Sequence, residues 1–200
     1  AEVNVCKNLI NLARTDFDIT KDQVLEYMEM VEDNAITLTD MQKEAIIQSI
    51  LNGITVITGG PGTGKTTIIL SIIEIFERMN KKVLLCAPTG RAAKRITEST
   101  GREAKTIHRL LEYAYGEDDS NLAFNKNENS PLDCHAVIVD EMSMVDILLM
   151  NNLLKALKRS TRLIMVGDVD QLPSVGAGNV LSDIIKSNTI KTIRLDMIFR

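Results

Sequence analysis

Residues 59–66 read Gly-Gly-Pro-Gly-Thr-Gly-Lys-Thr, the spacing G-x-x-x-x-G-K-[ST], and no other stretch constrains the fold of this chain as strongly. The pattern needs a buried strand entering the loop and a helix leaving it. The apolar run 54–58 predicts that strand. Ile68, Ile69, Leu70, Ile72, Ile73, Ile75 and Phe76 predict a helix buried on more than one side. Glycines let backbone N–H groups close around phosphate oxygens, and the helix N-terminus adds a favourable dipole. On this pattern Gly60, Pro61, Gly62, Thr63, Gly64, Lys65, Thr66 and Thr67 form a nucleotide cradle. Lys65 is placed to reach the β- and γ-phosphates of ATP, and the Thr66 hydroxyl to reach Mg²⁺.

Beyond this loop, strands and helices alternate. Two short amphipathic helices, around 9–13 and 24–31, precede a third that begins at Thr39. There Thr39 and Gln42 form a capping box. Strands are expected at 83–87, 136–139, 163–166 and 192–195, and helices at 91–100, 107–113, 145–157 and 180–185. Residues 116–131 are polar and read as a loop or an exposed hairpin, with 123–126 as one arm anchored by Phe124. Unbroken apolar strands alternating with helices argue for an α/β fold with a parallel sheet covered on both faces.

Two further strand ends carry chemistry. Asp140 and Glu141 follow the apolar strand 136–139. Asp140 suits Mg²⁺, which takes few carboxylates, and Glu141 suits the activation of an attacking water. Solvated carboxylates are the alternative, made less attractive by the phosphate loop, because open parallel sheets gather ligands at the carboxyl ends of their strands. Gln171 follows the strand 163–166 in Gly-Asp-Val-Asp-Gln-Leu-Pro and can donate and accept towards a γ-phosphate. By local chemistry alone that stretch is an ordinary turn.

The formal net charge of −4 excludes a uniformly basic coat but leaves room for a local basic groove. Three cysteines, an odd number without metal-ligand spacing, read as reduced thiols of a cytoplasmic protein. No apolar run approaches a membrane span, and no basic-then-apolar signal opens the chain. Lys-, Ile- and Asn-rich usage points to an AT-rich bacterial genome. The absence of an initial Met and the stop at Arg200 after an apolar strand suggest a piece of a longer protein.

Five strings stand in one order: 57–67 (ITGGPGTGKTT), 87–93 (APTGRAA), 106–111 (TIHRLL), 140–146 (DEMSMVD) and 167–178 (GDVDQLPSVGAG). Together they resemble the first motor domain of a RecD-like superfamily-one DNA helicase, the exodeoxyribonuclease V alpha-subunit group, over residues 38–200. The resemblance implies a three-layer RecA-like P-loop NTPase with a mostly parallel central sheet, preceded by N-terminal helices (1–37) from an upstream region. It matches Gln42 to an adenine-recognising glutamine. Thr89 and Arg91, then Thr106 and His108, match two motifs that touch single-stranded DNA. Gln171 matches a γ-phosphate sensor, and Arg200 an arginine that reaches the γ-phosphate across the motor cleft. Without the resemblance, Arg91, Lys94 and Arg95 read as a solvated helix face, and His108 equally as a core or capping residue. His135 stands where the family commonly has an acid, and no role is assigned to it.

By the same resemblance the parent protein is an ATP-driven helicase moving 5′ to 3′ on single-stranded DNA, in repair or recombination. Its partners would be a second motor domain of the same chain and, in some relatives, nuclease-complex subunits. Residues 113–133 fall where the family carries a small insertion, sometimes a strand-splitting pin. A lone motor domain is expected to bind nucleotide weakly, hydrolyse little and not unwind. A P-loop ATPase unconnected with DNA accounts for Lys65, Thr66, Asp140 and Glu141 but leaves 87–93 and 106–111 unexplained. A silent binding module leaves the charged set itself unexplained.

Overall fold

A computed structural model describes residues 1–32, 37–115 and 122–199. Its centre is a six-stranded sheet of β1 (Ile54–Gly59), β2 (Val83–Ala87), β3 (Ala104–Thr106), β6 (Ala136–Val139), β7 (Arg162–Gly167) and β8 (Thr192–Leu195). The strand order is β3-β2-β6-β7-β1-β8, and every pairing is parallel. Between β3 and β6 the chain forms β4 (Tyr113–Tyr115) and β5 (Leu122–Phe124), an antiparallel pair separate from the main sheet.

Side chains along a strand point alternately to its two faces, and the packing follows that alternation. Ile54 and Val56, Val137 and Val139, and Leu163 and Met165 join one core, closed by α1 (Glu2–Ala13), α7 (Ile147–Lys155) and α8 (Val180–Lys186). Ile57, Ile138, Ile164 and Val166 join the other, closed by α2 (Lys21–Glu32), α3 (Asp40–Leu51), α4 (Lys65–Arg78) and α5 (Gly90–Thr100). The result is a three-layer α/β domain. Because α4 packs against the sheet and against α2, α3 and α5, it is apolar nearly all round, with Ile68, Ile72, Ile75 and Phe76 fully buried.

The capping box at α3 forms as the spacing predicts. Thr39 N–H donates to Gln42 Oε1 at 3.0 Å, and Gln42 N–H donates to Thr39 Oγ1 at 3.3 Å. Three local expectations need correction. Residues 104–106 form an edge strand with no apolar run to announce it, since β3 pairs only with β2 and keeps no fully buried residue. The helix expected over 107–113 is the single turn α6 (Ile107–Leu110), after which Glu112 adopts φ 54° and the chain enters β4. The helix expected from 145 starts at Ile147, capped by Asp146, behind a 3₁₀ turn at Met142–Met144. Phe124 anchors its arm as expected, its ring centroid 4.6 Å from that of Tyr113.

Cys6 is exposed, while Cys86 and Cys134 are buried, and all three are free. Burial pushes the Cys134 thiol up to about 11 and the Cys86 thiol higher still. No helix among the described residues is long and apolar enough to cross a membrane.

One buried cation ties the N-terminal helices to the sheet. Arg162, only 4% exposed, donates from Nε to the Ile50 carbonyl at 2.8 Å. Its guanidinium lies 3.6 Å from the ring centroid of Phe17, in the α1–α2 connection, and 5.2 Å from that of Phe76. Burial lowers its pKa to about 10, far enough above neutrality to leave it charged. Arg162→Ala removes the stacking and leaves Ile50 O unpaired. The expected loss is about 2–4 kcal/mol in urea unfolding, and a loss below about 1 kcal/mol would refute the tie.

Candidate functional site

The phosphate loop leaves β1 at Gly59 and enters α4 at Lys65. Gly62 and Gly64 have φ 76° and 83°, values that L side chains adopt only under strain. Lys65 Nζ donates to the carbonyls of Gly59 at 2.6 Å and Gly60 at 2.8 Å, which holds the ammonium over the loop's own backbone. The Thr63 hydroxyl is buried and donates to Gly60 O at 2.8 Å, bracing the turn. Pro61, Gly62 and Thr66 are exposed, and Thr67 is half-buried. Gln42 is 3% exposed, and its Nε2 lies where a Cβ on Gly64 would fall. Capping and contact with the loop are therefore made by one side chain at once.

The second side of the cleft comes from the carboxyl ends of β6 and β7. Asp140 Oδ1 accepts the Glu141 N–H at 2.8 Å. Burial raises the Asp140 pKa, while that backbone bond and the charge of Lys65 pull it back. Glu141 itself sits at φ 53°, ψ 41°, a left-handed conformation that costs a non-glycine residue on the order of 1–2 kcal/mol. Asp168, 7% exposed, accepts from Asp170 N–H at 3.0 Å and shapes the turn that presents Gln171. Gln42, Lys65, Thr66, Asp140, Glu141 and Gln171 all line one cleft of ≈ 510 Å³.

Thr37, Asp168, Phe199 and Arg95 also line the cleft, with no role assigned in the sequence pattern, and the last two make specific contacts there. Phe199 N–H donates to Gly62 O at 2.8 Å, and its ring borders both this cleft and an adjoining pocket beside Thr39 and Gln42. Only the fold-back of the last strand's exit brings it there. Arg95 crosses from α5 and donates to Glu141 Oε1 at 3.3 Å, whereas Lys94 pairs with Glu98 along the helix surface. The expected site member Arg200 lies outside the described residues.

The DNA-contact candidates occupy the same edge of the sheet. Thr89 Oγ1 accepts the Ala92 N–H at 3.2 Å and caps α5, and Thr106 Oγ1 accepts the Arg109 N–H at 3.1 Å and caps α6. Ala87 and Thr106 are register partners, so both caps stand at the ends of adjacent strands. Arg91 is exposed at the start of α5. His108 is exposed, and its ring lies 5.5 Å from Tyr113 and 5.8 Å from Phe124, which makes it neither a core nor a capping residue. His135 acts elsewhere: its Nδ1 accepts the Lys82 N–H at 2.9 Å at the opposite end of β6.

A parallel sheet, a phosphate loop after β1 and an acidic pair at the end of β6, one strand removed from β1 across β7, define a P-loop nucleoside triphosphatase domain. A family model described as AAA domain matches residues 42–177, and the chain belongs to that family. The ATP-dependent RecD2 DNA helicase of Deinococcus radiodurans is 40% identical over 163 residues, covering 82% of this chain and 22% of that protein. The RecBCD enzyme subunit RecD of Haemophilus influenzae is 34% identical over 206 residues, covering 91% of this chain and 31% of that protein. The crystal structure of Pif1 helicase from Candida albicans aligns with a TM-score of 0.60 at 25% identity, over 82% of this chain and 41% of that one. The chain thus spans less than a third of these RecD relatives, and the resemblance drawn from its motifs is to its actual homologues.

Gly64→Ala imposes a left-handed backbone on alanine and drives a methyl into Gln42 Nε2. Binding of a fluorescent nucleotide analogue is expected to weaken at least about tenfold, while the domain stays folded by circular dichroism. Unchanged affinity would show that the loop geometry is not what holds the ligand.

Proposed function

We propose that this domain is the ATP-binding motor half of a 5′ to 3′ helicase that moves on single-stranded DNA in repair or recombination. One observation carries the reading: a single carboxyl edge of the sheet presents both the ATP cleft and the exposed set Arg91 and His108 beside the caps Thr89 and Thr106. Polarity, the cytoplasmic setting and nuclease-complex partners follow from kinship alone.

In this reading ATP is the substrate, with its triphosphate in the loop and its base between Gln42 and Phe199. Thr66 and Asp140 are hard oxygen donors lining one cleft, a set that would suit Mg²⁺, with Asp140 holding it through water. When bound, Mg²⁺ neutralises phosphate charge. Lys65 leaves its carbonyl partners for the β- and γ-phosphates. Glu141 takes a proton from the water that attacks the γ-phosphorus as the bond to the bridging oxygen breaks. Gln171 holds that water or the γ-phosphate. Thr89, Arg91, Thr106 and His108 hold the strand by backbone and sugar contacts, without reading sequence. Residues 1–37 serve as the end of an upstream region, 38–200 as the motor domain, and 113–133 as a polar insertion in it, of which 116–121 lie outside the described residues. Arg200 and a second motor domain complete the cleft. An arginine supplied across such a cleft is worth about three to five orders of magnitude in rate, so the lone domain turns over slowly.

The test compares ATP turnover, with and without single-stranded DNA, in this chain and in the longer protein that carries it. Expected are strong DNA stimulation in the longer protein, near silence in the domain, and loss of both with Lys65→Ala. Turnover indifferent to DNA would leave a P-loop ATPase uncoupled from any strand. A second check uses Arg91→Ala, which should lower strand affinity about equally for all sequences and reduce the salt slope by about one. An unchanged slope would remove Arg91 from the interface.

A further inference from the structure

The ion pair between Arg95 and Glu141 joins two parts of the cleft that the motor reading treats separately. Glu141 belongs to the phosphate chemistry, and its backbone is pinned at φ 53°, so its carboxylate has little freedom beyond its own χ angles. Arg95 belongs to α5, whose buried face (Ala92, Ala93 and Ile96) seats it on the domain as a rigid rod. One turn earlier on the same helix face stands Arg91, and the helix opens at the cap Thr89. The strand-contact candidates and the partner of the proposed base are therefore carried on one helix.

We propose that Arg95 is a positioning residue that holds the Glu141 carboxylate turned towards α5 when no strand is bound, and releases it when a strand engages the start of that helix. The guanidinium at 3.3 Å holds Oε1 and so fixes the direction in which the carboxylate points, leaving Oε2 as its unengaged oxygen. The pair suits a device that must open on every cycle, because it is weak. The Arg95 side chain is 67% exposed and that of Glu141 21% exposed. An exposed pair of this kind biases a conformation by roughly five-fold or less. A small shift of α5 on binding DNA phosphates at Arg91 is enough to break it, and the freed Arg95 then faces the cleft it already lines. Coupling of this form needs no long relay. It needs one helix in two positions, with both sites biasing it.

This inference rests on the proposed role of Glu141 as base. The experiment is steady-state ATPase of the longer protein, wild type beside Arg95→Ala and Arg95→Lys, with and without a single-stranded oligonucleotide. Arg95→Ala should raise the DNA-free kcat roughly two- to five-fold, leave kcat at saturating DNA near wild type, and shrink the stimulation ratio by the same factor. KM for ATP should change little, and Arg95→Lys should restore most of the restraint. Because Arg95 is exposed, neither variant should shift the thermal midpoint. A DNA-free kcat that stays level or falls overturns the proposal, as does a raised KM with an intact stimulation ratio, which would make Arg95 a phosphate contact. The parent reading fails differently: wild-type turnover that ignores DNA or survives Lys65→Ala removes the motor, whatever Arg95 does.

Discussion

A parallel sheet buried on both faces is the constraint on which the rest of this molecule depends. Parallel neighbours cannot be joined by hairpins, so each return path crosses a face and most carry a helix. The crossovers supply the two cores seen here, one gathered by α1, α7 and α8 and the other by α2 to α5. They also send every strand out at the same edge. The phosphate loop after β1, the acids after β6, Gln171 after β7 and the caps after β2 and β3 are neighbours for that reason alone.

Within the cleft of ≈ 510 Å³, charge and strain are concentrated on a few side chains. Lys65 is held by two loop carbonyls, Asp140 is raised by burial, and Glu141 is set in a left-handed backbone. The buried carboxyl and the left-handed backbone each cost free energy, whereas the two bonds of Lys65 are favourable. Strain of this sort persists only where the surroundings over-determine it. Here the buried turn at Met142 and Gly167 behind Glu141 does so: a Cβ on Gly167 would come within 3.0 Å of Met142 N.

Much of the site was legible because its residues act through local spacing. The loop pattern, the strand before it and the capping box at Thr39 each follow from neighbours within a few positions. β3 was not legible, since an edge strand of Ala-Lys-Thr buries too little to need an apolar signature. The partnership of Arg95 with Glu141 spans 46 positions. That of Arg162 with Phe17 and the approach of Phe199 to Gly62 depend on which elements pack together, and no local period encodes that.

The sequence by itself determined that this chain carries a phosphate loop on a parallel α/β sheet, and which side chains stand at the strand ends. Hydrophobic period and loop spacing are short-range properties, written within one turn or one strand. Only the tertiary structure decided that the helix carrying Arg91 also brings Arg95 to Glu141. It also decided that Gln42 caps α3 while touching Gly64, and that His108 lies edge-on to Tyr113 and tilted against Phe124 instead of filling a core. Those facts come from packing, where distance in space is set by the whole fold and not by distance along the chain.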